Sequence, residues 1–248
     1  MARTIIKKEN ILGIIPARGG SKGIKNKNIK LLCGKPLIYY TIIEAKKSKF
    51  IKRIVVSTDS PKISGIACKY GAEVPFLRPK ELAKDFVTDL PVFKHCLKWL
   101  EKNEGYRPDI VVQLRPTAPL RKAQHIDKAI KLLLKSKGAD SVRSVTKVGQ
   151  HPFKMWRIEN NRLCSFISQN ISRIKESYNL PRQKLPLVYI QNGSVDVIWP
   201  KTILEKGSMG GDVILPFVMR GPGSVNIDDE IDFLTAEAIV KKSGIFNK

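Results

Sequence analysis

Three short aliphatic runs constrain this chain more than anything else in it: "ILGIIPA" (11–17), "RIVVSTD" (53–59) and "DIVVQL" (109–114). None alternates apolar with polar residues, so each suits a strand buried on both faces of a parallel sheet. Helix-length segments separate them. Pro36 opens "PLIYYTIIEAKKSK", which keeps apolar residues at helical spacing and places lysines in its last turn, where the helix dipole favours cations. Ser60 and Pro61 supply an N-cap and a first helical position for a second helix, which Gly71 stops. "EVPFL" (73–77) is expected as a short strand, Leu90 to Lys102 as a helix, and "KAQHIDKAIKLLLKSK" (122–137) as an amphipathic helix. Strands alternating with helices require right-handed crossovers and a mainly parallel sheet covered on both faces, an α/β fold.

The pattern changes near residue 141. "SVRSVTKV", "FKMWRI", "NRLCSF" and "LVYIQNGSVDVIWP" read as strands, with Glu159-Asn160-Asn161 as a hairpin turn. They imply antiparallel additions and an excursion around residues 150–187. The chain then closes with "ILPFVM", an acidic run "NIDDEID" and a helix from about Glu230 to Lys242. There is no internal repeat or low-complexity linker. One domain over 1–248 with an embedded β-rich subdomain is the expected organisation.

Composition removes several function classes. The four cysteines, Cys33, Cys68, Cys96 and Cys164, form no C-x-x-C and no metal-ligand spacing with a histidine, and three are expected in apolar surroundings. No stretch has the length to cross a bilayer, and "MARTIIKKEN" has too short an apolar segment for a signal peptide, so no membrane partner and a cytoplasmic location are expected. The net charge of +23 comes mostly from scattered lysines, such as Lys128, Lys131, Lys135 and Lys137 on one helix, with no interleaved aromatic platform. That pattern reads as a solvated lysine-rich surface rather than a nucleic-acid interface. Of the three histidines, His95 reads as core or boundary, His125 as lying on an exposed helix, and His151 as part of the "HPFKM" turn, with support of Lys154 as a further option.

The loop after the first run is the chemical centre. "ARGGSKGIKNKN" leaves a buried strand at the end where open parallel sheets bind ligands. It is neither a P-loop of the G-x-x-x-x-G-K-[ST] type nor a dinucleotide fingerprint. Gly19, Gly20 and Gly23 allow backbone amides to approach an anion, and Arg18, Lys22, Lys25 and Lys27 supply full charge. Glycines and cations this dense after a buried strand suit a phosphate-rich ligand. A mobile basic surface loop is the alternative.

"IIPARGGSKGIKNKNI" resembles the N-terminal signature of the acylneuraminate (CMP-sialic acid synthetase) family of cytidylyltransferases. "VVSTDS", "FLRPKELAKD", "LRPTAPLR", "HPFKM", "LPRQKLP", "NGSVDVI" and "NIDDEIDF" follow in the order of that family and cover nearly the whole chain. The resemblance implies a nucleotide-diphospho-sugar transferase sandwich with a Rossmann-like half. It also implies Mg²⁺-dependent transfer of CMP from CTP to a 2-keto sugar acid, and a homodimer whose β-rich excursion reaches the partner's site.

The resemblance also assigns residues. Arg18 and Lys27 would bind the triphosphate, assisted by Ala17, Gly19, Ser21, Lys22 and Asn28. Arg78, with backbone groups near Val87 and Thr88, would read the cytosine. An ion pair of Arg78 with Glu81 or Asp85 is the alternative. Asp228 would hold Mg²⁺, and Asn226, two positions earlier on the same side of a strand, would share it. The family commonly carries aspartate at both, so Asn226 is a departure that shifts the weight to Asp228. Arg115 replaces the family's usual glutamine. It is suited either to hold the sugar's carboxylate by two hydrogen bonds or to form a salt bridge within the crevice. Lys154, Arg182, Gln183, Gln191 and Asn192 match positions around the sugar, and Asp196 replaces a more usual aromatic residue there. The runner-up substrate is the eight-carbon acid Kdo. A basic polyanion-binding protein without turnover is the reading from another class.

Overall fold

The computed structural model describes residues 9–243. Most of "MARTIIKKEN", read above for a leader, lies outside the described residues. In chain order the elements are β1 (Ile11–Pro16), β2 (Leu31–Leu32), β3 (Lys35–Pro36), α1 (Leu37–Lys46), β4 (Ile51–Ser57), α2 (Pro61–Lys69), α3 (Asp89–Glu104) and β5 (Ile110–Gln113). There follow α4 (Ala123–Lys135), β6 (Ser141–Lys147), β7 (Trp156–Glu159), β8 (Arg162–Ser165), α5 (Gln169–Ser172), β9 (Tyr189–Ile198), α6 (Pro200–Leu204), β10 (Ile214–Val218) and α7 (Glu230–Ser243).

Six strands form the main sheet in the order β10-β6-β9-β5-β1-β4. Strand β1 pairs in parallel with both β4 and β5, β10 is parallel to β6, and β9 is antiparallel to β5. The three aliphatic runs thus become the adjacent strands β5, β1 and β4, as their unbroken apolar character requires. One face packs Ile11, Ile15, Val56 and Val112 against α1, α2 and α4, and the other packs Leu12, Ile14, Val55 and Val111 against α3 and α6. Burying one such aliphatic side chain contributes about 1.5–3 kcal/mol. A third cluster fixes α7 to α1 through Leu37, Tyr40, Phe233 and Ala236, with Ile24 and Ile227 between them.

Helix signals act as read. The Ser60 hydroxyl accepts from the Ile63 amide, Pro61 opens α2, and Gly71 follows it at φ +84. Other expectations need correction. "EVPFL" forms no regular strand and only isolated bridges, Val55 with Glu73 and Thr58 with Leu77, because Pro75 lacks the amide a ladder needs. Of the cysteines, Cys96 is buried and Cys33 packs partly buried against the third cluster, while Cys164 is half-buried and Cys68 is exposed.

Residues 146–191 form a second compact unit. It contains the β7–β8 hairpin, closed by Asn160 and Asn161 at φ 49 and 61, where asparagine tolerates the left-handed conformation. Otherwise it is built from α5, short 3₁₀ turns and the adjoining ends of β6 and β9. Its His151 is buried: Nδ1 accepts from the Phe153 amide and Nε2 contacts the Pro186 carbonyl at 3.0 Å. The imidazole supports its own turn rather than the Lys154 side chain, whose Nζ donates to the Tyr178 carbonyl. Among the described residues, no helix is long and apolar enough to cross a membrane.

Candidate active site

Strand β1 ends at Pro16, and the loop that follows curls over the carboxyl ends of β1 and β4. Local bonds give it shape. The Ala17 amide donates to the Ser57 carbonyl, the Gly19 amide to Asp59 Oδ1 at 2.9 Å, and buried Asn28 returns its Nδ2 to the Arg18 carbonyl at 2.9 Å. Beside the loop lies a cleft of about 340 Å³ lined by Arg18, Ser21, Lys22, Lys27, Asn28, Arg78, Asp85, Val87, Asp89 and Arg115, among others. Five of these side chains are cationic, which makes the cleft an anion site with an apolar wall from Leu82, Val87 and Val92.

Each cation is held differently. Lys27 Nζ donates to the Ile227 carbonyl at 2.9 Å, across 200 residues of sequence. Burial lowers its pKa, and the Asp228 and Asp232 carboxylates oppose that shift. Arg78 is 5% exposed, donates Nε to Ser57 Oγ and Nη2 to the Ser57 carbonyl, and forms no ion pair among the described residues. The pair with Glu81 or Asp85 is therefore absent. Burial lowers the Arg78 pKa, opposed mainly by Asp59 and Asp89. A buried charge without a carboxylate partner, lining a cleft, is a candidate binding group.

Asp85 and Asp89 are the residues missed as cleft components. Asp85 takes Arg18 Nη1 at 2.8 Å and Lys22 Nζ at 2.6 Å. Asp89, in the first turn of α3, takes Arg115 Nη2 at 2.5 Å and Gln113 Nε2 at 2.7 Å. Arg115 thus forms the salt bridge within the crevice while still lining it. The signal for both acids was present in "KDFVTD", where they flank Val87 four residues apart, but sequence alone did not assign their partners.

The acidic run meets the loop directly. A Cβ on Gly23 would stand 2.6 Å from the Asp228 carbonyl oxygen, so this glycine serves a close backbone approach and not only an anion. Asn226 Nδ2 donates to Asp228 Oδ2 at 2.7 Å, so Asn226 orients the carboxylate instead of adding a second charge. Asp229 and Asp232 cap the start of α7, with Asp232 N donating to Asp229 Oδ1 at 2.9 Å. No group of three or more metal-ligating side chains occurs among the described residues. One carboxylate beside a phosphate cradle fits Mg²⁺, which takes most of its ligands from phosphate oxygens and water, and does not fit an all-protein cage.

Other expected site residues of the first unit do not line this cleft. Ala17 is buried with only its backbone in use, Gly19 is tied to Asp59, and Thr88 serves as the residue before α3. Asn192 is turned inward, with Nδ2 on Met219 Sδ at 3.5 Å and Oδ1 accepting from the Ser194 amide. Asp196 is 2% exposed, with Arg143 Nε at 3.3 Å, and burial raises its pKa. In the second unit, Arg182 and Gln183 line a separate cavity of about 290 Å³ with Lys147 and His151, and Gln191 lies exposed in β9. His125 is not on an exposed face: it is half-buried at the start of α4, where Nδ1 accepts from the Lys122 amide.

Residues 12–160 match the family model described as Cytidylyltransferase. The chain belongs to the cytidylyltransferase family. The CMP-N,N'-diacetyllegionaminic acid synthase of Campylobacter jejuni is 34% identical over 96% of this chain and 98% of its own length. The N-acylneuraminate cytidylyltransferase of Escherichia coli is 34% identical over 94% of this chain, which spans 52% of that protein. Among solved structures, a CMP:2-keto-3-deoxy-manno-octonic acid synthetase complexed with CTP superposes with a TM-score of 0.65 at 13% identity, over 94% of this chain and 99% of that one. That last likeness speaks for the fold alone.

Proposed function

We propose that this cytidylyltransferase activates a 2-keto sugar acid of the nonulosonate class, forming a CMP-sugar and pyrophosphate from CTP. The observation that carries the reading is the convergence of Arg18, Lys22, Lys27 and Arg78 on one cleft beside Asp228. The sugar's anomeric hydroxyl attacks the α-phosphorus and loses its proton to solvent, and the bond to the bridging oxygen of pyrophosphate breaks. Such a transfer needs alignment and neutralised charge more than covalent help from the protein. Arg18 and Lys27 hold the triphosphate and stabilise charge growing on the leaving group. Removing one such preorganised contact raises a barrier by about 2.7–4 kcal/mol. Arg78, fixed by Ser57 and lining the cleft with Val87, is assigned to the cytosine. Asp228, oriented by Asn226, is the residue that would hold Mg²⁺, which when bound supplies charge neutralisation at the phosphates. Arg115 is assigned to the sugar's carboxylate, for which a guanidinium offers two parallel donors. Lys154, Arg182, Gln183 and Gln191, all in the second unit, are assigned to the sugar acid bound by a partner copy in a homodimer.

Self-association belongs to the same proposal. Of the seventeen large apolar side chains exposed among the described residues, nine lie within 146–191, including Trp156, Ile158, Phe166 and Ile171. A surface that apolar suits an interface between copies of the chain. A homodimer by light scattering is the expected state.

The reading is tested by pyrophosphate release from CTP and Mg²⁺ across a panel of sialic, legionaminic, pseudaminic and eight-carbon sugar acids. Release with at least one nonulosonate is expected. No release with any acid, or release with the eight-carbon acid alone, overturns it.

A further inference from the structure

Asp85 occupies two of the cleft's cations. Its carboxylate bridges one guanidinium and one ammonium, Oδ1 to Arg18 Nη1 at 2.8 Å and Oδ2 to Lys22 Nζ at 2.6 Å. Neither cation has another carboxylate partner among the described residues. The hydrogen bond from Lys22, then that from Arg18, holds the Asp85 carboxyl below the usual carboxylate range. The groups are also accessible, since Arg18 and Asp85 keep about a third of their side-chain surface and Lys22 keeps 73%. All three line the cleft.

The same N–H donors cannot serve Asp85 and a triphosphate together. Two carboxylate oxygens spanning a guanidinium and an ammonium reproduce the contacts that two phosphate oxygens would make. A carboxylate left beside a bound polyphosphate also repels it. Resting on the proposed function, we infer that Asp85 is a positioning residue acting through Arg18 and Lys22. It exchanges with the triphosphate as CTP binds, and it takes the two cations back when pyrophosphate must leave. Asp85 thereby keeps the cradle ordered and sets how tightly pyrophosphate-bearing ligands are held.

Calorimetry separates this from a structural role. Wild type, Asp85→Asn and Asp85→Ser are titrated with CTP, pyrophosphate and cytidine in the presence of Mg²⁺. Both variants should bind CTP and pyrophosphate more tightly, by roughly 2–10-fold for the loss of two exposed ion pairs, and cytidine unchanged. Pyrophosphate should become a stronger product inhibitor by the same factor. In an Arg18→Gln, Lys22→Gln background, adding Asp85→Asn should give a smaller gain, that of the lost carboxylate–phosphate repulsion alone. Unchanged or weaker pyrophosphate binding in the variants overturns the inference, as does an equal shift for cytidine. Failure of the wild type to bind CTP would instead overturn the nucleotide assignment itself.

Discussion

Replacing Gly23 with alanine puts a methyl group 2.6 Å from the Asp228 carbonyl oxygen. Ordinary contacts of a Cβ begin at 3.4 Å, so the loop and the acidic strap must separate by about 0.8 Å. The obstructing atom belongs to the backbone, and no side chain can rotate to relieve it. Overpacking of this kind costs about 1–3 kcal/mol, a fall of roughly 2–12 °C in the unfolding midpoint for a chain of this size. The catalytic cost is larger, because the displacement separates the triphosphate cradle from Asp228. A misplacement near 1 Å costs on the order of 10²-fold in rate. Gly20 supplies the control, since a Cβ there meets nothing within 4 Å and its φ is not positive. Pyrophosphate release and thermal melts are measured on Gly23→Ala and Gly20→Ala side by side. Gly20→Ala should keep the wild-type melting midpoint, whereas Gly23→Ala should melt lower and lose roughly 10–100-fold in kcat/KM. Equal activity in the two variants refutes the close-approach argument.

Three more outcomes follow from the same geometry. Lys27 must carry its proton to hold phosphate, and burial favours losing it, so kcat/KM for CTP should fall on the alkaline side at a pH below 10.5. The sign for stability is opposite: the unfolded lysine keeps its proton longer, so stability rises through the window between the lowered value and 10.5. Lys27→Arg should move the activity limb to higher pH, and an unmoved limb rules out Lys27 as its source. Arg115→Gln should raise KM for the sugar acid by roughly 10–150-fold, the loss of a charge-assisted hydrogen bond, with little change in KM for CTP. Arg143→Met removes the nearest cation from buried Asp196 and should cost about 3–5 kcal/mol of stability, read as a lower melting midpoint. An unchanged midpoint contradicts that.

Local pattern carried the scaffold. Unbroken aliphatic runs became β1, β4 and β5, and the Ser60 cap, the Asn160-Asn161 turn and the start of α7 at Glu230 stand where their residue types require. Pattern failed where a single residue outvoted its neighbours, as Pro75 did in "EVPFL". The site was legible as a cluster of motifs but not as a set of contacts. Nothing within "ARGGSKGIKNKN" announces that Lys27 reaches the Ile227 carbonyl or that Gly23 lies against Asp228, because both contacts span about 200 residues. The pairing of Asp85 was equally hidden: Arg78 was the nearer cation in sequence, yet Ser57 took that guanidinium and left Asp85 to Arg18 and Lys22. Asn192, legible as a polar residue on a strand near the crevice, turned inward because Met219 and the Ser194 amide offered it partners.

The central claim is that the loop of Arg18 and Lys27 cradles the triphosphate of CTP. Equilibrium binding of CTP and of cytidine to wild type, Arg18→Gln and Lys27→Met tests it most directly. Each variant should lose roughly 10–150-fold in affinity for CTP, one charge-assisted contact, while cytidine binding stays at the wild-type value. Unaltered CTP binding in both variants, or a parallel loss for cytidine, would contradict the account.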